Sequence, residues 1–184
     1  GNKIITAGGG GMILTNSIKF AEKAKYLTTQ AKDDPLMYIH NEIGYNFRLT
    51  NLSAAVGVAQ LEQLEKYIKQ KRIISDYYKR SLEGINTMRI AKVPNYSNNN
   101  HWINILVFKD RIDISNIINY LEKNGIQSRP IWKLNHMQKP YLSCQNYKIE
   151  MAEKLVQKSL CLPSSVNLNK GQIDYIVDTI KKYG

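Results

Sequence analysis

The strongest constraint on the fold comes from four consecutive glycines at residues 8–11, within the opening stretch GNKIITAGGGGMILTN. The run lies between two short β-rich stretches, residues 4–6 and 12–15, and this pattern predicts two strands around a tight connection. Glycine permits backbone conformations and close approaches that any side chain would prevent. We therefore interpret the run as backbone that passes close to another object.

Two familiar phosphate-binding loops do not fit this stretch. A P-loop requires G-x-x-x-x-G-K-[ST], with the lysine after the glycines at the start of a helix, but here Lys3 precedes them. A dinucleotide-binding fingerprint requires a helix after the glycines, whereas GGGGM leads into a strand-like run. The glycines must serve another purpose.

The residues after this stretch predict two helices separated by a long loop. Ser17 is a candidate N-cap for a helix over residues 18–27, and Asn51 for a long helix that ends at Gly84. The apolar stripe of the long helix indicates core or subunit packing and consists of Gly57, Leu61, Leu64, Ile68, Ile74, Tyr78 and Leu82. Residues 28–50 show no period, and loops of that length inside a compact domain are usually functional.

The second half of the chain predicts a small α/β domain. A buried strand at residues 102–108 follows an Asn- and Pro-containing connection at residues 86–101. A capped helix at residues 113–125 and a strand at residues 126–131 come next, and helices at residues 150–158 and 170–182 flank SLCLPSS. We predict a boundary at residues 84–86, with one domain over residues 1–84 and a second over residues 85–184.

Composition limits the classes of function. A chain of 184 residues with 43% hydrophobic content can bury a core, and no apolar stretch approaches the ~20 residues of a membrane span; we expect a soluble, cytoplasmic protein. Two cysteines and three histidines without metal-ligand spacing predict no metal site. The net charge of +11 leaves polyanion or nucleic-acid binding open as an alternative. The densest basic run, at residues 65–80, is typical of a solvated helix face.

Four blocks of the sequence, in order, resemble the DegT/DnrJ/EryC1/StrS sugar aminotransferases. The family uses pyridoxal phosphate (PLP) on the aspartate-aminotransferase-like fold, fold type I. The similar blocks are the opening stretch with its Schiff-base lysine, EIGYNFRLTNLSAAVGVAQLEQL, SRPIWKLNHMQKPY and LCLPSSV. Within the family the chain is most similar to the branch that leads to legionaminic acid and related bacterial surface sugars. Ala7 replaces the more usual threonine.

The resemblance implies a role for individual residues. Lys3 would attach the cofactor covalently and act as general acid and base. Asn46 would bind the cofactor phosphate, with Arg48 and the start of the following helix in support. The residues on the substrate side would be His40, Tyr45, Arg129, Trp132 and His136.

More ordinary interpretations of these residues remain open. Lys3 is alternatively a solvated lysine near a terminus, and Arg48 a partner in a surface salt bridge. Arg129 is alternatively a strand-end salt bridge, with Trp132 in the core.

The resemblance covers the second half of such an enzyme. In the family, the Asp that binds the pyridine nitrogen and the groups that stack on the ring lie upstream of the lysine. The chain would thus supply the remainder of the large PLP-binding domain plus the small C-terminal α/β domain, and would be inactive alone. The complete protein is expected to be a homodimer whose active site lies at the interface. It would transfer an amino group, with glutamate as donor, to a 4-keto-6-deoxy nucleotide sugar; a non-catalytic remnant is the alternative.

Overall fold

The computed structural model describes residues 3–183, and its contacts divide the chain into two compact units on either side of the Leu64–Glu65 bond. We call the described residues 3–64 unit 1 and the described residues 65–183 unit 2. The boundary predicted at residues 84–86 falls inside unit 2. It concerns the domains of a complete protein and stays a prediction.

Unit 1 contains two helices, α1 (Ile18–Thr28) and α2 (Asn51–Glu62). The Ser17 hydroxyl accepts a hydrogen bond from the Phe20 amide at 3.4 Å, which confirms the predicted cap of α1. The cap of α2 is Thr50, whose Oγ1 accepts from the Ser53 amide at 3.2 Å, so the prediction of Asn51 was wrong by one residue. Threonine caps a helix through the same side-chain oxygen chemistry that favours asparagine.

The two strands predicted around the glycines are wrong: residues 3–16 form no strand. A strand is stabilised by hydrogen bonds to a neighbouring strand, and the described part of unit 1 contains no strand that could pair with these residues, only isolated bridges. The apolar side chains of the second stretch, Met12, Ile13 and Leu14, are exposed.

The helices of unit 1 bury none of their residues. In α2 the apolar residues Leu52, Val56, Val58 and Leu61 are all exposed and lie around the whole helix rather than along one stripe. A helix that is apolar on every side is normally buried. The exposed apolar residues on every side of α2 are therefore an unusual feature of unit 1.

Unit 2 is built on a four-stranded antiparallel sheet with the order β1-β2-β4-β3. The strands are β1 (Met88–Ile90), β2 (Asn104–Phe108), β3 (Arg129–Pro130) and β4 (Ser159–Leu162). The helices are α3 (Leu64–Ser81), α4 (Ile114–Lys123), α5 (Glu150–Val156) and α6 (Lys170–Tyr183), with short 3₁₀ turns at Asn135–Met137 and Lys139–Tyr141. No described helix has the length and apolar content to cross a lipid bilayer.

The core of unit 2 lies between the sheet and its helices. Its fully buried side chains include Ile74, Tyr78, Leu106, Ile117, Leu121, Leu160, Ile173 and Ile180. The second part of the predicted stripe, Ile74, Tyr78 and Leu82, is confirmed as core. The single long helix is wrong, because α2 ends at Glu62 and α3 begins at Leu64, with a 3₁₀-type hydrogen bond from the Gln63 amide to the Gln60 carbonyl.

The remaining predictions for unit 2 hold in part. Helix α4 has the Asp113 cap, and Gly125 takes a positive φ of +72° just beyond its C-terminus. Strand β1 was missed, because it lies in the segment interpreted as a connection. The strand predicted at residues 126–131 shrinks to β3, where Pro130 offers no N–H to extend the ladder.

Candidate functional site

The aperiodic segment between α1 and α2 is an ordered loop that is bonded to the end of α1. The Tyr45 amide donates to the Leu27 carbonyl at 2.7 Å, and the Phe47 amide donates to the Thr28 carbonyl at 3.1 Å. In the opposite direction the Gln30 amide donates to the Tyr45 carbonyl at 3.1 Å. These bonds fix the backbone at residues 45 and 47, in a segment, residues 45–49, that carries three of the predicted site residues: Tyr45, Asn46 and Arg48.

His40 braces this loop from within. Its Nδ1 lies 2.8 Å from the Gln30 carbonyl oxygen and 3.1 Å from that of Ala31. Both partners are acceptors, so Nδ1 carries a proton and donates. The substrate role predicted for His40 therefore has only the other ring nitrogen, Nε2, and it stays a prediction.

Asp33 fixes the far side of the loop. Its Oδ2 accepts from the Asn41 amide at 2.7 Å and from the Tyr26 hydroxyl at 2.9 Å. The hydrogen bond from the Asn41 amide, more than any other contact, lowers the pKa of Asp33, because it stabilises the carboxylate. Desolvation and the bond to Asp33 raise the pKa of Tyr26 to about 12. The pair thus stays as carboxylate and neutral phenol across the physiological range.

The glycine-rich stretch after Lys3 contacts both the 45–49 segment and α2. Gly10 has a φ of +101°, and a Cβ there would lie 2.7 Å from Leu49 Cδ1. Ala7 Cβ lies 3.6 Å from the position of a Cβ on Gly57, within α2. The interpretation of the glycines as a close backbone approach is confirmed at Gly10, whereas a Cβ on Gly8, Gly9 or Gly11 would meet nothing within 4 Å.

The 45–49 segment presents different chemistry on its two sides. The Tyr45 and Phe47 rings stack with centroids 4.9 Å apart and planes 12° apart. Asn46 forms an antiparallel bridge with Thr29, so the chain is extended there, and alternate side chains of an extended chain point to opposite sides. Asn46 consequently lies on the side opposite the aromatic pair.

The start of α2 adds hydrogen-bond donors beside Arg48. Thr50 caps the Ser53 amide, while the amides of Asn51 and Leu52 belong to the first turn, where a helix has no carbonyl partner for them. Arg48 is exposed, and no acidic side chain of the described residues pairs with it. The surface salt bridge considered for Arg48 is therefore not formed in unit 1, and the guanidinium is available to a ligand. Lys3, at the head of the glycine-rich stretch, is also exposed.

Three predicted substrate residues lie in unit 2, two of them on its surface. Arg129 is the exposed first residue of β3 and makes no ion pair within the described residues. Trp132 is 56% exposed, so the core position considered for it is excluded, and its ring contacts Trp102 with centroids 5.6 Å apart. His136 is partly buried, with Nε2 lying 3.1 Å from Glu153 Oε1.

The sequence interpretation missed Lys71, the buried lysine of α3. Its ammonium donates to the Trp102 carbonyl at 3.0 Å and to the Ser164 carbonyl. Burial lowers the pKa of Lys71, because desolvation disfavours the charged form. Its spacing was the available signal, since Lys71, Ile74, Ser75 and Tyr78 are the buried residues of α3 and share one helix face.

Comparison with known proteins identifies the class. The model of the DegT/DnrJ/EryC1/StrS aminotransferase family matches residues 1–181. The chain therefore belongs to this family, whose members are PLP-dependent aminotransferases, and the resemblance found in the sequence is confirmed at that level.

Individual relatives show the same kinship. EpsN of Bacillus subtilis (strain 168), whose name places it among pyridoxal phosphate-dependent aminotransferases, is 34% identical over 186 residues, which are 98% of this chain and 47% of EpsN. GDP-perosamine synthase of Vibrio cholerae is 33% identical over 186 residues, 100% of this chain and 50% of the synthase. The dTDP-4-amino-4,6-dideoxy-D-glucose transaminase of Shigella dysenteriae is 27% identical over 188 residues, which cover 98% of this chain and 50% of the transaminase. The chain spans about half the length of the curated relatives it matches.

The fold is likewise shared with solved structures. The aminotransferase TlmJ from Streptoalloteichus hindustanus matches with a TM-score of 0.84 at 18% identity, over 97% of this chain and 48% of TlmJ. The expected fold class is thus confirmed: the chain is mixed α/β with a small antiparallel sheet, consistent with part of a fold type I domain.

Proposed function

We propose that this chain forms the second half of a PLP-dependent aminotransferase that converts a 4-keto-6-deoxy nucleotide sugar into an amino sugar for a bacterial surface polysaccharide. The observation that carries this proposal is the family match over residues 1–181, together with relatives named for nucleotide-linked amino sugars. The match favours this function over polyanion binding. Glutamate is the proposed amino donor, and the pathway to legionaminic acid the proposed branch.

The residues of unit 1 fit the phosphate of the cofactor. Arg48, the amide of Asn46 and the first amides of α2 are all donors, and an exposed guanidinium with no acidic partner in unit 1 suits a dianion. PLP, when bound, supplies an electrophilic carbonyl carbon and a ring that accepts electrons. In our proposal Asn46 and Arg48 hold the phosphate group, and the start of α2 supports it.

Lys3 has the chemical role in this proposal. Its neutral amine would hold the cofactor covalently at the carbonyl carbon, whose oxygen would leave as water, and the same amine, when free, would accept and return the proton at the reacting carbon. The proposed placement of Lys3 beside the phosphate donors is supported by two contacts of the residues that follow it. The backbone of Gly10 approaches the Leu49 side chain, and the Ala7 side chain lies near Gly57. A glycine at position 10 lets the backbone approach where a side chain would displace Leu49.

Candidate substrate residues occur in each unit, and each set is proposed for its own unit. The Tyr45 ring and His40 Nε2 would face the sugar, while Arg129, Trp132 and His136 would bind the nucleotide part through charge, stacking and hydrogen bonding. Because Nε2 of His136 already faces Glu153, its substrate contact would come from Nδ1. The complete enzyme would be a cytoplasmic homodimer with its active site at the interface, which agrees with the exposed apolar surface of unit 1.

The test is a chimera of the first half of the Vibrio cholerae synthase joined to this chain. It is incubated with PLP, glutamate and either GDP- or dTDP-linked 4-keto-6-deoxy sugar, and mass spectrometry detects the amino sugar. We expect product, loss of at least a hundredfold in rate for Lys3→Ala, as for removal of an essential acid and base, and no change for Lys19→Ala on α1. Undiminished product in Lys3→Ala, or none in a folded chimera that binds PLP, contradicts the proposal.

A further inference from the structure

The two tryptophans of the chain form one surface feature of unit 2. Trp102 precedes β2 and Trp132 follows β3, yet their rings are 5.6 Å apart between centroids and inclined by 31°. Trp132 is 56% exposed and Trp102 half-buried. We call these residues the tryptophan pair; the sequence holds no other tryptophan.

Trp102 is held at both ends of its backbone. Its amide donates to Asn100 Oδ1 at 3.0 Å, and its carbonyl accepts from the Lys71 ammonium at 3.0 Å. Lys71 also donates to the Ser164 carbonyl, and Ser164 Oγ accepts from the Asn104 amide at 2.9 Å. A lysine inside the unit thus fixes the backbone of a residue whose aromatic ring lies at the surface.

This arrangement is costly for the fold. Lys71 is 6% exposed, and its hydrogen bonds go to neutral carbonyls, with no acidic partner within the described residues. His101, next to Trp102, takes the left-handed conformation with a φ of +50°, which is strained for a residue other than glycine. Desolvated charge and backbone strain of this kind cluster at functional sites.

We propose that the tryptophan pair is a stacking platform for the nucleobase of the nucleotide sugar, with Trp102 as a substrate-binding residue and Lys71 as its positioning residue. The inference rests on the proposed function. The base is the one planar aromatic group of such a substrate, since the sugar and the diphosphate have no π face. Arg129, exposed three residues before Trp132, supplies a cation for the diphosphate.

The first test uses the 184-residue chain without cofactor or amino donor, because the pair and Lys71 lie within unit 2. Tryptophan fluorescence reports only on this pair, and it is followed during titration with GDP, with dTDP and with inorganic pyrophosphate. We expect saturable quenching by both nucleotides and none by pyrophosphate. Trp102→Leu and Trp132→Leu should each weaken binding roughly tenfold, as for loss of one aromatic partner of a base, whereas Tyr96→Leu, an exposed aromatic side chain elsewhere in unit 2, should not.

The second test addresses Lys71. Lys71→Met should abolish the near-ultraviolet circular dichroism that arises from the coupled rings and weaken nucleotide binding, with the far-ultraviolet spectrum retained. Asn100→Ala, a surface change that releases the other end of the Trp102 backbone, should have the same effect in smaller degree and serves if Lys71→Met does not fold. A merely structural lysine would alter stability without a change in binding by the folded protein.

The outcomes separate this inference from the proposed function. Absence of saturable quenching, or unchanged binding in both tryptophan variants, overturns the platform even if the chimera makes amino sugar. Nucleotide binding that depends on both tryptophans supports the platform even if the chimera makes none.

Discussion

Replacement of Gly44 by alanine tests whether the loop of unit 1 is as tightly apposed as the structure indicates. A Cβ on Gly44 would lie 2.3 Å from the backbone nitrogen of Ala31 and 2.4 Å from the carbonyl carbon of Gln30, where real Cβ contacts are not shorter than about 3.0 Å. Ala31 is fully buried, and its amide donates to the Tyr26 carbonyl at 2.9 Å. The backbone itself must therefore move, because no flexible side-chain end can yield.

The expected cost follows from what that movement disrupts. Overpacking of a tight site costs about 1–3 kcal/mol of stability. The hydrogen bonds donated by the amides of Gln30, Tyr45 and Phe47, which close the loop, contribute about 0.5–1.5 kcal/mol of stability each. We expect a loss of about 3 kcal/mol in the local stability of the loop. At about 1.4 kcal/mol per factor of ten, its opening becomes roughly a hundredfold more frequent.

Native-state amide hydrogen exchange measures this opening directly. The Tyr45 amide should exchange about a hundredfold faster in Gly44→Ala, while the amide of Leu106 in unit 2 keeps its rate. Gly57→Ala is the matched control: its Cβ would make an ordinary 3.6 Å contact with Ala7, and it should stabilise α2 by about 0.5–1 kcal/mol. A Tyr45 exchange rate that stays the same in Gly44→Ala refutes the close approach of residues 30 and 44.

Three further predictions concern unit 2 and the thiols. Burial raises the pKa of the Cys161 thiol to about 11, so at pH 8 a thiol reagent should label the exposed Cys144 at once and Cys161 only after denaturation. Cys144→Ser should remove the fast phase of labelling. Fast labelling of both cysteines would contradict the burial of Cys161. Leu106→Ala, at a fully buried site in the sheet, should lower the free energy of unfolding by about 2–5 kcal/mol, measured by urea denaturation; a loss no greater than that of Val58→Ala on exposed α2 would be inconsistent with this core. Because the pKa of Lys71 is lowered in the fold, the folded state binds fewer protons than the unfolded chain between that lowered pKa and the ordinary lysine value. The stability of the wild type relative to Lys71→Met should therefore rise with pH across this interval, and a constant difference in urea titrations at pH 7 and pH 10 would count against a buried cation.

Elements whose determinants are local could be predicted from the sequence. Helix α4 has its Asp113 cap, its apolar stripe and its terminal Gly125 within one short stretch. Strand β1 could not be predicted in the same way, because three residues carry little pattern of their own. It exists through its register with β2, where Arg89 pairs with Val107, and that partner lies far along the chain.

The strands wrongly predicted around the glycines show that strand-like composition alone does not produce a strand. Residues 4–6 and 12–15 have strand-like composition, yet composition does not provide a partner, and the described part of unit 1 offers none. β-Propensity expresses how well a side chain fits a paired, half-buried surface, not an intrinsic preference of the backbone.

In the candidate site too, some features could be predicted from the sequence and others are visible only in the structure. The four blocks predict the roles of Lys3, Asn46 and Arg48 through resemblance, and these roles stay predictions; the structure adds the contacts that hold the segments around Asn46 and Gly10 in place. The basic run at residues 65–80 was interpreted as a solvated face, which is wrong for Lys71, since only its spacing with Ile74 and Tyr78 reveals its burial. No local pattern links Lys71 to Trp102, which lies thirty-one positions further along the chain.

The two units differ in what stabilises them, and this difference affects how each proposed role can be tested. Unit 2 has a continuous core around Tyr78, Leu106 and Leu160, so the platform formed by the tryptophan pair rests on a self-sufficient scaffold. Among residues 3–64, which form unit 1, Ala31 is the one apolar residue that is buried, and the loop is ordered mainly by hydrogen bonds. Hydrogen bonds exchanged with water contribute little net stability, whereas α2 exposes apolar residues on every side. Base binding should therefore be measurable with this chain alone, while the arrangement of Lys3 and Arg48 should become rigid only when further protein covers α1 and α2.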